Sequence, residues 1–187
     1  EDAFPPEQIE KEFAPMVKFN KIDGKYYTIP TAVRTLALFW NKDIFKDNGL
    51  DPEKPPKTLD ELVEMAKKCT RRNNGVLEIA GMTFQPSGQL HAWFRPVLLE
   101  QFGQQPMSDD FRKVTWNGSE AGYKAFEFLV DLARKHQVGE NNFYTDDATA
   151  FISGKAALHI DGSYRLGALK SQAPDLNYGV APLPEYN

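Results

Sequence analysis

The sequence predicts an α/β layered fold, and three observations carry that prediction. Leu36-Ala37-Leu38-Phe39-Trp40 is continuously apolar, the pattern of a strand covered on both faces. Thr58 stands three residues before Glu61, with Leu59, Leu62, Ala66 and Cys69 at helical spacing behind it; this marks a capped amphipathic helix. Segments of these two kinds alternate along the chain, the order that lays helices onto a sheet.

The first 23 residues are polar and contain proline, with a short helix expected from residue 6 to about 14. Asp23-Gly24 is a tight turn, leading into a strand over residues 25–29 that Pro30 stops. The next strand covers residues 35–40. Asn41 caps a helix over residues 42–48, which Gly49 closes. Residues 50–57, with Pro52, Pro55 and Pro56, form a stiff connector to the helix capped by Thr58. The basic pairs Lys67-Lys68 and Arg71-Arg72 are placed at the end of that helix, where cations oppose its dipole favourably.

A strand is expected over residues 76–84, then a helix over residues 90–102 interrupted near its start by Pro96. Asn117-Gly118-Ser119-Glu120 opens the longest helix, with Ser119 as its cap. It runs to about His136 and buries Gly122, Ala125, Phe126, Leu129, Leu132 and Ala133. A short helix over 146–153 ends at Gly154. A strand over 156–160, a helix from 163 to about 172 and a strand over 178–181 complete the chain. There is no internal repeat and no linker long enough to split residues 1–187 into independent domains.

Composition bounds the function. The 187 residues suit one domain, and 41% hydrophobic with 26% charged residues is ordinary for a globular chain. The net charge is −4, and no Lys/Arg cluster exceeds a pair, so nucleic acid is not the partner. The longest apolar run falls far short of the roughly 20 residues that span a bilayer. The chain opens on Glu1 rather than Met, which leaves export open. Cys69, the single cysteine, makes no internal disulfide and reads as a small buried hydrophobe.

Searches for chemistry return little. His91, His136 and His159 are scattered, without metal-ligand spacing. Gly154-Lys155 lacks the flanks of a phosphate loop, and Ser119 stands one place too early for a nucleophile elbow. The 26 acids include many pairs, but a glycosidase is defined by their separation in space. No metal or cofactor is implied.

Three segments together resemble a known family. They are Asp23-Gly24-Lys25-Tyr26-Tyr27-Thr28-Ile29-Pro30 followed by residues 35–45; Pro55-Pro56-Lys57-Thr58-Leu59-Asp60-Glu61-Leu62; and Phe151-Ile152-Ser153-Gly154-Lys155-Ala156-Ala157-Leu158 with Asp161-Gly162-Ser163-Tyr164 and Tyr178-Gly179-Val180-Ala181-Pro182-Leu183-Pro184. In this order they resemble the extracellular solute-binding proteins of family 1, maltose-binding-protein-like receptors of ABC importers. The resemblance runs from Asp23 onward.

It implies a three-layer lobe of a type II periplasmic-binding-protein fold, with a mixed central sheet and helices on both faces. Residues 1–30 would be a remnant of the first lobe plus a hinge strand, 31–179 the second lobe, and 180–187 the return hinge strand. Family members are longer, so the rest of the first lobe is expected before Glu1 and further segments after Asn187. The implied activity is non-catalytic binding of a solute, by family habit a carbohydrate, through hinge closure. The implied partner is an ABC-transporter permease, for a monomer working in the periplasm or outside the cell, free or as a tethered lipoprotein. Two other classes share such a scaffold: a carbohydrate-active enzyme lobe and a sensor module.

The resemblance also implies site residues, each with a plainer alternative. Tyr164 stands at an aromatic position whose ring can stack on a pyranose, or it packs at its own helix start. Gly162 lets backbone approach a solute, or serves a simple turn. Asp161 accepts from sugar hydroxyls, or caps a helix. Arg34 faces the cleft, where its fork of donors suits vicinal hydroxyls, carboxylates or phosphates, or pairs at the lobe edge. Maltose-type members carry an acid at that position. Trp93, with His91 beside it, supplies the cleft or the core. Trp40 and Trp116 are assigned to packing.

Overall fold

Local capping and apolar spacing set the order of elements. A computed structural model describes residues 5–13, 15–29, 32, 34–84 and 90–186. They divide into two compact units, Glu1–Thr35 and Leu36–Asn187.

In the first unit Pro6 opens helix α1 (Pro6–Glu12), and a 3-10 segment follows at Pro15–Asn20. Strands β1 (Lys21–Ile22) and β2 (Lys25–Tyr26) pair antiparallel. Asp23 at φ 50° and Gly24 at φ 78° join them, the two positive values of a type I′ turn. Ile9, Val17 and Tyr26 form a small core. The Tyr26 hydroxyl donates to Glu10 at 3.0 Å, and Lys21 pairs with the same carboxylate. The strand expected over 25–29 is shorter, because only Lys25 and Tyr26 find ladder partners among the described residues. Ala14 and Pro30, the expected ends of the helix and the strand, lie outside the described residues.

The second unit contains β3 (Leu36–Asn41), α2 (Lys42–Asp47), α3 (Leu59–Cys69), β4 (Arg71–Asn73) and β5 (Val76–Met82). A π-helical turn at Leu90–Phe94 then runs into α4 (Arg95–Gln101). After these come α5 (Glu120–Arg134), α6 (Asp147–Ile152), β6 (Ala156–Gly162), α7 (Arg165–Gln172) and β7 (Tyr178–Ala181). The sheet order is β4-β5-β6-β3-β7. β5 and β6 run parallel and the other pairs antiparallel, so the sheet is mixed.

The caps expected at Asn41, Thr58 and Ser119 are formed, and Asp146, read as the first residue of its helix, is its cap. The Asn41 side chain accepts from the Asp43 and Ile44 amides, Thr58 from Glu61, Ser119 from Gly122 and Asp146 from Thr149. Glu61 accepts from the Lys57 amide at 2.7 Å, one residue earlier than a capping box places that bond.

One apolar cluster gathers Leu38, Trp40, Leu158 and Ile160 with Leu62 and Ala66 of α3, Leu98 of α4, and Leu129 and Leu132 of α5. The other gathers Phe39 with Phe151 of α6 and Leu169 of α7. Helices therefore cover the sheet on both sides. Cys69 is buried in the first cluster, where burial pushes its thiol up to about 12.

Two expectations change. Arg71 and Arg72 do not end a helix: Thr70 turns extended, and the two arginines start a hairpin that returns through Asn74 and Gly75, at φ 50° and 83°. Arg72 then pairs with Glu140. Phe126 is 56% exposed, because Gly122, Ala125, Leu129 and Leu132 already define the buried stripe and the next position turns away from it.

Gly81 allows α3 to lie against β5. A Cβ there would stand 1.9 Å from the Ala66 carbonyl oxygen. Gly81→Ala is expected to lower stability by about 1–3 kcal/mol. Gly167→Ala, in open space inside α7, should raise it by about 0.8 kcal/mol. Urea denaturation of the two variants checks both signs.

Candidate functional site

Because β5 and β6 are parallel, their C-terminal ends leave the sheet at one edge. β3 enters there, with Leu36 opposite Gly162. Loops at the C-terminal ends of parallel strands are where open α/β sheets build binding crevices. At this edge β6 delivers Asp161, Gly162 and then Tyr164, while β5 delivers Thr83 and Phe84. A pocket lined by Thr83, Phe84, Glu140, Tyr144, Asp146 and Asp147, among others, opens beside the end of β5.

All seven residues of β6 are buried, so its polar side chains must be satisfied by protein. Asp161, 1% exposed, is satisfied several times over. Its Oδ1 accepts from the Gly162 amide at 2.7 Å and from the Tyr164 hydroxyl at 2.6 Å. Its Oδ2 accepts from Arg165 Nε at 2.7 Å, forms an ion pair with Arg165 Nη2 at 2.6 Å, and lies 3.2 Å from His159 Nε2. Thr83 Oγ1 lies 2.9 Å from His159 Nδ1. When Nε2–H donates to Asp161, Nδ1 is left to accept from the Thr83 hydroxyl. Burial alone pushes the Asp161 carboxyl up, but the bonds from His159, Tyr164 and Gly162 outweigh it and hold the group well below the usual carboxylate range.

A hydroxyl, an imidazole and a carboxylate in a row have the order of a nucleophilic triad. Here Thr83 is 3% and His159 2% exposed, and His159 stacks on Phe151 at 5.4 Å. The chain of bonds is a structural brace inside the sheet.

The brace fixes Tyr164. Besides its bond to Asp161, the ring lies over Gly162, where a Cβ would stand 2.3 Å from Tyr164 Cε1. The Arg165 guanidinium carbon is 5.6 Å from the ring centroid. The side chain nevertheless remains 42% exposed, a rigid aromatic surface at the sheet edge.

The residues singled out from sequence divide accordingly. Asp161, Gly162 and Tyr164 converge. Asp161 neither caps α7, whose first turn has no side-chain cap, nor has acceptor positions left for a solute hydroxyl. The space that Gly162 opens is filled by the Tyr164 ring. Trp93 is not core: it is 59% exposed in the π turn, while its neighbour Phe94 is fully buried. That turn packs against β6, and π turns recur at functional sites. His91 occupies the same turn, but its side chain and the loop 85–89 lie outside the described part. Arg34 is exposed and belongs to the first unit. Trp40 is buried, with its indole donating to the Pro52 carbonyl at 2.9 Å.

Three contributors were missed from sequence: Thr83, His159 and Arg165. A signal existed for two of them, since His159 and Asp161 share one strand face and Arg165 follows Asp161 by four residues. Among the described residues no group of three His, Cys, Asp or Glu side chains is placed to hold a metal. No helix among them is long and apolar enough to cross a membrane.

A family model for bacterial extracellular solute-binding proteins matches residues 7–187, so the chain belongs to that family. Over 184 residues it is 27% identical to a maltotriose-binding protein of Pyrococcus abyssi, a match covering 98% of this chain and 37% of that one. It is 27% identical over 183 residues to an sn-glycerol-3-phosphate-binding periplasmic protein of Brucella abortus, covering 90% of this chain and 38% of the relative. The crystal structure of the cyclic alpha-maltosyl-1,6-maltose binding protein from Arthrobacter globiformis superposes with a TM-score of 0.79 at 26% identity, over 98% of this chain and 45% of that one. The periplasmic-binding-protein fold is thus shared, and the chain spans under half the length of these relatives.

Asp161→Ala is expected to cost about 3 kcal/mol at neutral pH, because it strands buried donors. The folded carboxyl lies below its unfolded value of about 3.9. The stabilisation is therefore complete above that pH and is lost as pH falls towards the folded value. In acid denaturation profiles the variant should be the flatter of the two below about pH 4.

Proposed function

We propose that this chain forms the greater part of one lobe of a two-lobed, non-catalytic solute receptor, with residues 31–179 as the lobe. In this reading residues 1–30 carry a piece of the other lobe and a hinge strand, and 180–187 the return strand. The solute is a carbohydrate. Hinge closure sandwiches it between two half-sites and presents it to an ABC-transporter permease, outside the cytoplasmic membrane. The receptor works as a monomer, free or tethered as a lipoprotein.

The observation that carries this reading is the rigid, exposed Tyr164 ring at the sheet edge where binding crevices form. A phenol ring covers the apolar C–H face of a pyranose at low entropic cost. Trp93 offers a second aromatic surface, on a turn packed against the same strand. Relatives named for maltotriose and for a cyclic maltosyl sugar support the substrate class. The inaccessible Thr83–His159–Asp161 chain supports binding over catalysis.

A half-site binds weakly. In an NMR titration of the 187-residue chain, maltotriose should bind in the millimolar range and shift the Tyr164 and Trp93 resonances. Tyr164→Ala should weaken it about tenfold, the value of roughly one stacking contact. Micromolar affinity would refute the half-site, and turnover of a chromogenic glycoside would refute the receptor.

A further inference from the structure

The relatives include receptors named for a neutral oligosaccharide and for a phosphate ester, so the charge of the solute is the open question. The second unit contains a strong cation at the Tyr164 platform. Arg165 has 17% of its side chain exposed and its guanidinium carbon 5.6 Å from the ring centroid. An uncompensated arginine there would attract phosphate or carboxylate.

It is compensated. Nε donates to one oxygen of Asp161 and Nη2 forms an ion pair with the same oxygen, and that carboxylate is locked by the Gly162 amide and the Tyr164 hydroxyl. A fixed ion pair presents a dipole rather than a net charge. Of the guanidinium N–H donors, Nε–H is committed to Asp161 and Nη2 lies against the same oxygen. The Nη1 donors can still reach hydroxyls. One further acid lies nearby: Asp146, which caps α6, lies within the field of Arg165.

We infer that the Asp161–Arg165 pair makes this half-site selective for neutral polyhydroxy solutes over sugar phosphates and sugar acids, with Arg165 as a specificity-determining donor to hydroxyls. The inference rests on the sugar-receptor reading and deepens it.

The test is an NMR titration of the 187-residue chain at low ionic strength with maltose, maltose 6-phosphate and maltotriose, following the Arg165 Nε–Hε and Tyr164 signals. Wild type should bind maltose about tenfold more tightly than its phosphate. Asp161→Asn should reverse that preference by exposing the charge of Arg165. Because this variant also removes a buried acceptor, Arg165→Gln serves as the companion. It should lose about fivefold in maltose affinity and bind the phosphate no better than wild type, because the Asp161 carboxylate is left without its cation. Wild type binding the phosphate as tightly as maltose, or Arg165→Gln binding the phosphate more tightly than wild type, overturns the inference. So does a response to maltotriose with none to maltose or its phosphate. No response to any of the three sugars sinks the underlying sugar reading instead.

Discussion

Strand β6 is buried along its whole length, yet it carries a histidine and an aspartate. A buried polar group left unpaired costs about 1–3 kcal/mol, and an unpaired charge more. The sheet edge is organised around meeting that requirement. Thr83 is brought from β5 to His159, His159 to Asp161, and Tyr164 and Arg165 fold back from the start of α7 onto the same carboxylate. The parallel register of β5 and β6 makes this possible, since it sets Met82, the end of β5, beside Leu158 and so brings Thr83 to His159.

A structural requirement therefore also produces the surface proposed to meet the solute. The bonds that satisfy Asp161 also lock the Tyr164 ring and orient the Arg165 fork. A ring held by a hydrogen bond and seated over glycine loses little further freedom when a solute stacks on it, so more of the contact energy appears as affinity. The same pairing balances the charge of Arg165 at the platform. Rigidity and charge balance arise from one carboxylate.

Membership of the solute-binding family fits this division of labour. The two apolar layers anchor the sheet, and small residues permit close packing: Gly81 under α3 and Gly179 under the Trp40 ring. Residues that hold the framework are numerous, whereas the residues proposed to touch a solute are few and cluster at one end of the sheet. Receptors named for maltotriose and for a phosphate ester can therefore each be 27% identical to this chain over the aligned segment and differ in what they hold.

Much of the fold was legible from the residues. Asn41, Thr58, Ser119 and Asp146 mark helix starts because a short polar side chain can reach the orphan amides of its own first turn. The run Leu36 to Trp40 marks a central strand because only burial on both faces explains it. These signals are local. The hairpin at Arg71 was written as Asn74-Gly75 but obscured by its charge, and Phe126 matched an apolar stripe that was already full. At the site, sequence singled out Asp161, Gly162 and Tyr164 and left their roles divided between solute and scaffold. Tertiary structure decided that Asp161 is a saturated hub, that Gly162 lies under a ring, and that Thr83, His159 and Arg165 belong with them. Thr83 stands 76 residues from His159, and no local pattern specifies which buried donor a distant strand brings to a carboxylate. Sequence determined the elements through short-range capping and periodicity; the pairing of charges was decided only when the strands came together.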